Sequence, residues 1–344
     1  MDKEKLYGKT LNELIGITGK LGMPGFSAMQ IADWLYKKKI SDINEMTNLS
    51  LKMRTRLSSG YELGLDPPLS FRQSADGTKK YLFKVQENKS IETAYIPEDD
   101  RSTICLSVQI GCRMGCVFCA TGIQGFQGNL TSNEILNQFR SLPEFDNLTN
   151  MVFMGMGEPL DNLPEVLKSL DIMTSSWGYG WSPTRITVST VGLVSGLKQF
   201  LENTRCHLAV SLHSPFDEER RELMPIQKTN SIKQVLQIIR GFDINSQRRI
   251  SFEYILFQNL NDTSRHINEL ARILNGIRCR INLIRFHLIP GSYLRSPDMN
   301  SIFSFRDALK AKGIITTIRS SRGVDIQAAC GLLSTLERNK TKDL

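Results

Sequence analysis

The sequence predicts an α/β protein: a barrel or partial barrel of alternating strands and helices behind a small all-helical domain. Two observations carry that expectation, and a third divides the chain. From about Ser102 onward, strand-like apolar runs alternate with helical patterns through roughly six repeats, the rhythm of a parallel sheet. Up to Leu65 the apolar residues recur at helical spacing instead. Asp66-Pro67-Pro68 is a natural break between the two regimes.

Taken in order, residues 1–66 read as the helical accessory domain. Ser27-Ala28-Met29-Gln30 has the pattern of a capping box ahead of Ile31, Trp34 and Leu35, and a further helix start is expected at Ser50. Residues 67–101 read as a hairpin extension and linker. Leu69–Gln73 and Lys80–Val85 flank the turn Ala75-Asp76-Gly77-Thr78, and Ser90–Ile96 adds a strand. Residues 102–335 form the expected core, with a polar tail at 336–344. Its strands are expected at Ile104–Gln109, Met151–Met156, Ile186–Ser189, His207–Leu212, Ile250–Leu256, Ile281–Phe286 and Ile314–Ile318. Helices between them are expected at Ser132–Phe139, Pro164–Thr174, Ser231–Arg240, Ser264–Leu274 and Ser301–Lys312.

Composition excludes several classes. Of 344 residues, 40% are hydrophobic, enough for a full core, yet no apolar run approaches the length of a membrane span. The start Met1-Asp2-Lys3-Glu4-Lys5 begins no signal peptide. Seven scattered cysteines do not form a secreted disulfide framework, so a reducing cytoplasm is expected. A formal charge of +8 favours an anionic partner, RNA first among them. Local clusters such as Lys37-Lys38-Lys39, Arg54 with Arg56, and Arg319 with Arg322 read equally well as solvated faces.

The densest signal is Cys112, Cys116 and Cys119, spaced C-x3-C-x2-C. Three thiolates so placed can hold three irons of a cubane [4Fe-4S] cluster and leave the fourth iron open to a small molecule, where electron-transfer clusters use four cysteines. The other readings are zinc completed by a distant histidine, and buried small hydrophobes. Unusual residues also recur where strands end: Gly155 through Pro159, Ser189-Thr190, Ser211-Leu212-His213 and Arg285-Phe286-His287. In strand-helix barrels that is where active residues gather.

These motifs, in this order, resemble the RlmN/Cfr family of radical S-adenosylmethionine (SAM) RNA methyltransferases. The resemblance spans nearly the whole chain. It rests on Ile96-Pro97-Glu98-Asp99-Asp100-Arg101, on Cys105 seven residues ahead of Cys112, and on Gly122 through Leu130. The run Met154-Gly155-Met156-Gly157-Glu158-Pro159 and the ending Arg322 through Cys330-Gly331 complete it. It implies a partial (β/α)6 barrel of the radical-SAM type, a [4Fe-4S] cluster on Cys112, Cys116 and Cys119, and SAM on the open iron. RlmN-type members methylate carbon 2 of an adenosine in the peptidyl-transferase region of 23S rRNA, and many also the adenosine beside the anticodon of tRNA. Cfr-type members methylate carbon 8 of the same rRNA adenosine and confer antibiotic resistance. The runs at Ile96–Arg101 and Gly157–Leu160 resemble the RlmN side.

The resemblance also implies roles. Cys330 would accept a methyl group from one SAM by displacement, and a radical made from a second SAM would convert it to a methylene that adds to the adenine. Cys105 would take the ring proton and release the product by forming a transient disulfide with Cys330, which external thiols reset. Glu92 would handle protons; without the family it reads as a solvated strand glutamate. Gly157 and Glu158 would meet the SAM amino group, and Ser189, Ser211, Leu212 and His213 its ribose and carboxylate side. His287 stands where many relatives have asparagine, and both side chains can hydrogen-bond a nucleoside. Phe118 and Ala120 would line the cluster loop, while Cys206 and Cys279 read as packing. The implied partners are 23S rRNA, tRNA and an electron donor such as flavodoxin or ferredoxin, with no membrane and a monomeric chain. Trp177, Tyr179 and Trp181 form an aromatic loop that reads as core or rim. A radical-SAM enzyme with another substrate leaves the pair Cys105 and Cys330 unexplained, and a non-enzymatic iron-sulfur RNA-binding protein leaves the open iron unexplained.

Overall fold

In the N-terminal domain, helix starts are set by side-chain caps. The computed structural model describes residues 3–86, 88–243 and 248–335; the expected tail at 336–344 lies outside the described residues. Strand β1 (Glu4–Lys5) leads to helix α1 (Leu11–Lys20), where the Thr10 hydroxyl accepts from the Glu13 N–H and the Glu13 carboxylate accepts from the Thr10 N–H. Helix α2 (Ser27–Tyr36) begins differently from the expectation. Phe26 is its first flanking residue, no side chain caps it, and the Ser27 hydroxyl is buried inside the first turn. Burial of Ile31, Ala32 and Leu35 holds α2 in place without that cap. Helix α3 (Leu51–Gly60) starts as expected, with the Ser50 hydroxyl accepting from the Met53 N–H. The domain is not purely helical, because strand β2 (Tyr61–Glu62) pairs in parallel with β1 and ties its two ends together.

The next strands, β3 (Ser70–Gln73), β4 (Lys79–Gln86) and β5 (Lys89–Pro97), form an antiparallel meander. It is no separate linker. β5 pairs antiparallel with β6 (Ser102–Cys105), so the meander extends one edge of the core sheet. The stretch expected as one strand to Gln109 breaks after Cys105: the Ser107 N–H bonds the Gln138 side chain instead of a neighbouring strand. Gln109–Ile110 (β7) then pairs with Gly128–Asn129 (β8) as a small separate ribbon across the helix α4 (Ala120–Gln124).

Helix α5 (Ser132–Arg140) leads to β9 (Asn150–Phe153), and α6 (Leu163–Thr174) to β10 (Ile186–Thr190). Helix α7 (Val194–Asn203) precedes β11 (His207–Ser211), and α8 (Asp217–Leu223) with α9 (Ile232–Arg240) precedes β12 (Ile250–Leu256). Helix α10 (Ser264–Leu274), β13 (Cys279–Arg285), α11 (Met299–Ala311) and β14 (Ile315–Ile318) close the fold. The sheet order β14-β13-β12-β11-β10-β9-β6-β5-β4-β3 is parallel from β6 to β14 and never closes on itself, which is a partial barrel. Every residue of β12 is buried, as a central parallel strand covered on both faces must be.

The aromatic loop after α6 lies at the joint between the two parts. The Tyr179 ring lies 5.6 Å from that of Tyr36 and 5.3 Å from that of Phe139, and its hydroxyl bonds that of Tyr7. Among the described residues, no helix is long and apolar enough to cross a membrane.

Candidate active site and cluster loop

The cysteine loop is shaped by glycines. Gly111 has φ +69°, and a Cβ there would lie 1.7 Å from the Gly125 carbonyl oxygen, so only glycine fits. Cys112, Cys116 and Cys119 are all free thiols in an apolar pocket with Met114, Phe118, Phe257 and Phe286. Burial pushes the Cys112 thiol up to about 12 and raises those of Cys116 and Cys119; the charge of Cys119 adds to the rise at Cys112 and Cys116. Such thiols stay protonated until a cation takes the place of the protons. Among the described residues no three His, Cys, Asp or Glu side chains converge as a single ion requires. A cubane distributes its cysteines over separate irons, so three buried thiols on one loop, without histidine or carboxylate, fit the cluster by their donor chemistry.

Around this loop the strand-end residues form a connected rim. Gly157 has φ +99°, and a Cβ there would lie 2.5 Å from the Gln109 Cβ. The Glu158 carboxylate accepts from the Thr190 hydroxyl at 2.6 Å, the Val191 N–H at 2.9 Å and the Leu160 N–H at 3.0 Å. Burial nonetheless raises it to about 7. Glu158 therefore joins the loops after β9 and β10. Ser211 ends β11 and Ser189 is the last residue but one of β10, and both are partly exposed. Leu212 departs from its expected role: its side chain is fully buried, its N–H bonds the Glu253 carbonyl, and its carbonyl accepts from Arg220 Nε. Both its backbone groups are already committed. His213 sits at φ +54° with Nδ1 accepting from the Ile255 N–H at 3.0 Å and its ring edge-on to Phe118 at 4.7 Å. Burial, with Arg220 adding, lowers it to about 3, so its ring is neutral and Nε2 carries the proton.

Arg220 was not singled out by any motif. It is fully buried and donates to the carbonyls of Val191, Ser211 and Leu212 and to the Gln227 side chain, so one guanidinium fixes two strand-end loops. The acidic first turn of α8, Asp217-Glu218-Glu219, marks a helix start, but nothing local marks the arginine behind it as buried.

A cavity of about 450 Å³ opens beside the rim and holds Cys105, Cys119, Cys330, His287 and Arg319 on its wall. The two remote cysteines thus share one chamber with the cluster loop. Burial pushes the Cys105 thiol up to about 12; the charge of Cys330 adds to this and Arg319 opposes it. Arg319 is held strongly protonated, chiefly by Cys330. His287 Nε2 lies 2.8 Å from the Ser321 hydroxyl, and burial followed by Arg285 lowers its pKa. Gly157, Glu158, Ser189, Ser211, Leu212 and His213 do not line this chamber; they stand on the neighbouring rim.

Glu92 is neither solvated nor on the chamber wall. It pairs with Lys80 at 3.1 Å, the side chains 2% and 5% exposed, and accepts from the Ser334 N–H at 3.1 Å. Further bonds bind the segment that carries Cys330: Asp76 accepts from the Gly323 N–H, the Ser74 hydroxyl donates to Asp325, and Lys80 reaches the Gln327 carbonyl. On the cluster side, the Thr121 hydroxyl donates to the Leu333 carbonyl and the Ala120 N–H to that of Gly331. Cys206 is buried in the main core, and Cys279 packs against it.

Comparison with known proteins agrees along the full chain. The Radical SAM superfamily matches residues 106–271, and the ribosomal RNA large subunit methyltransferase N-terminal domain matches residues 5–63. A probable dual-specificity RNA methyltransferase RlmN of Bacteroides thetaiotaomicron is 56% identical, with 99% of each chain covered. The dual-specificity RNA methyltransferase RlmN of Desulfotalea psychrophila is 39% identical, with 98% of each covered. A crystal structure of a radical SAM methyltransferase from Sphaerobacter thermophilus superposes with TM-score 0.89 at 38% identity, over 96% of this chain and 99% of that one.

Proposed function

The chain belongs to the RlmN family of radical-SAM RNA methyltransferases, and from that premise we propose that it methylates carbon 2 of adenosine in 23S rRNA and in tRNA, using Cys330 as the methyl carrier. The observation that carries the residue roles is the shared chamber of Cys105, Cys119 and Cys330. When bound on Cys112, Cys116 and Cys119, the cluster supplies the one-electron chemistry that lets SAM serve as a source of a hydrogen-abstracting radical.

The residues of the chain do the rest. Carbon 2 of adenine is not nucleophilic, so the methyl group goes first to the Cys330 sulfur, by displacement from SAM. Arg319 shares the chamber wall with Cys330. A methyl group on the Cys330 sulfur takes away one of the influences that raise Cys105, while burial, the largest of them, remains and Arg319 opposes it. Cys105, as a thiolate, then takes the ring proton, passes it to the methylene carbon and attacks the Cys330 sulfur; the one electron this releases would be taken up by the cluster. The carbon–sulfur bond breaks, a Cys105–Cys330 disulfide forms, and two electrons and two protons from an external thiol pair restore both cysteines. Glu92 supports this sequence by fixing the loop of Cys330 through Ser334. His287 and the serines of the rim are suited to hold the nucleoside part of SAM.

This chemistry calls for a reducing cytoplasm and an electron donor of the flavodoxin or ferredoxin kind. Carbon-8 methylation is the second reading, and the RlmN-named relatives do not favour it. The test is anaerobic incubation of reconstituted enzyme with SAM, reductant and either an rRNA fragment or tRNA, followed by nucleoside mass spectrometry. 2-Methyladenosine in both RNAs is expected. 8-Methyladenosine, or an intact cluster that cleaves SAM and leaves both RNAs unmodified, would overturn the assignment.

A further inference from the structure

The chamber that holds Cys330 has a second, basic side that the chemistry above does not use. Strand register puts Cys105 opposite Val152, Val152 opposite Thr187, and Thr187 opposite His207, with Arg249 beside His207 in turn. All five line the chamber, as does Arg280, which lies opposite Ser251 and so two residues further along β13. Arg249 and Cys105 are thus in one row of the sheet, four strand spacings or about 19 Å apart along its curved surface and closer across the barrel.

The two guanidinium groups on this side stand without an anionic partner. Among the described residues neither the Arg249 nor the Arg280 guanidinium makes an ion pair or a side-chain hydrogen bond. Of the acidic residues of the same chamber, Glu98 pairs with Arg101, and Glu253 accepts from Ser251 and Asn282 through Oε1 while its Oε2 is buried without a partner; among the described residues neither makes an ion pair with Arg249 or Arg280. His207 Nδ1 accepts the Arg249 N–H at 3.0 Å, which leaves a proton on Nε2. Burial and then Arg249, Arg280 and Arg248 lower His207 to about 4, so the side is positive without the imidazole being charged. Burial and Arg249 also lower Arg280. Two like charges kept together without a counter-ion are the pattern of a site whose anion comes from outside.

We propose that Arg249 and Arg280 form a phosphodiester-binding rim on the catalytic chamber, gripping the RNA backbone beside the adenosine that is turned into it. This rests on the reading that the substrate is RNA. The arginines then do what base contacts do not: they fix the register of the backbone so that one base can leave its stack and reach Cys330.

The probe is an in-vitro transcribed 23S rRNA hairpin containing the target adenosine, with binding measured across a salt series and turnover measured separately. The double variant Arg249→Gln/Arg280→Gln is expected to raise the KM for this RNA about tenfold and to flatten the plot of log K against log salt by roughly 1.5, the share of two phosphates. SAM-dependent methylation of Cys330 should be unchanged, which a misfolded variant would not allow. Arg249→Lys/Arg280→Lys should keep the slope, and the exposed helix control Lys233→Gln should match the parent. An unchanged KM and salt slope in the glutamine variant would overturn the site. Binding is read without turnover, so the slope judges the site even if the parent enzyme left this RNA unmethylated, the outcome that would count against the substrate reading.

Discussion

His213 shows how much a single side chain at this rim is asked to do. Its backbone is left-handed, its Nδ1 holds the Ile255 N–H, its carbonyl holds Asn261, and its ring packs on Phe118 of the cluster loop. Because its folded pKa of about 3 lies below the usual 6.5, its contribution to stability is whole above pH 6.5 and is lost as pH falls toward 3. His213→Asn tolerates the backbone and keeps an acceptor. Comparing the two proteins by urea unfolding between pH 7 and 4, the wild type should lose more stability; equal losses would show that the ring does not titrate against folding. Arg220 belongs to the same scale. Arg220→Met strips the donor from three carbonyls, of which that of Leu212 is buried. It should weaken SAM binding by tenfold or more in calorimetry while RNA binding holds. Cys105→Ala removes the thiol that would release the product, so a covalent protein–RNA species should accumulate on denaturing gels.

At the scale of elements, the antiparallel meander works as a cradle for the C-terminal segment. Asp76 shows the strain of that role: burial opposes its charge, yet bonds from Gly323, Thr78 and Ser74 hold its carboxyl at about 2. Lys80→Met would strip buried Glu92 of its ion-pair partner and leave it the Ser334 N–H, a loss of roughly 3–5 kcal/mol, and Lys80→Met/Glu92→Gln should recover part of it. Hydrogen exchange should rise across residues 327–334 in the single variant more than elsewhere. Uniform exchange would mean the pair does not act on the Cys330 segment. The strands, the hairpin turn and the cluster spacing were legible because period and punctuation are local properties. The cradle was not, since Lys80, Glu92 and Ser334 meet only through tertiary packing, and Glu92 taken alone reads as a surface residue. Ser27 misled for the opposite reason: its local pattern is right for a cap, but burial of the apolar face of α2 shifted the helix start by one residue.

For the molecule as a whole, the barrel rim, the cluster loop and the cradle converge on Cys330 from three directions, while the N-terminal domain is fastened to the outside through Tyr7, Tyr36 and Tyr179. The arrangement makes sense if one cysteine must be presented in turn to SAM, to a radical and to an RNA base. That Cys330 is the methyl carrier is the central claim, and the most direct test is the mass of the peptide that contains it. Reconstituted enzyme given methyl-labelled SAM should gain one labelled methyl group on that peptide before RNA is added, and lose it to RNA afterwards. Cys330→Ala should retain its cluster and bind SAM yet make no methylated adenosine. A label that reaches RNA in the alanine variant, or never appears on Cys330 in the active enzyme, would contradict the account.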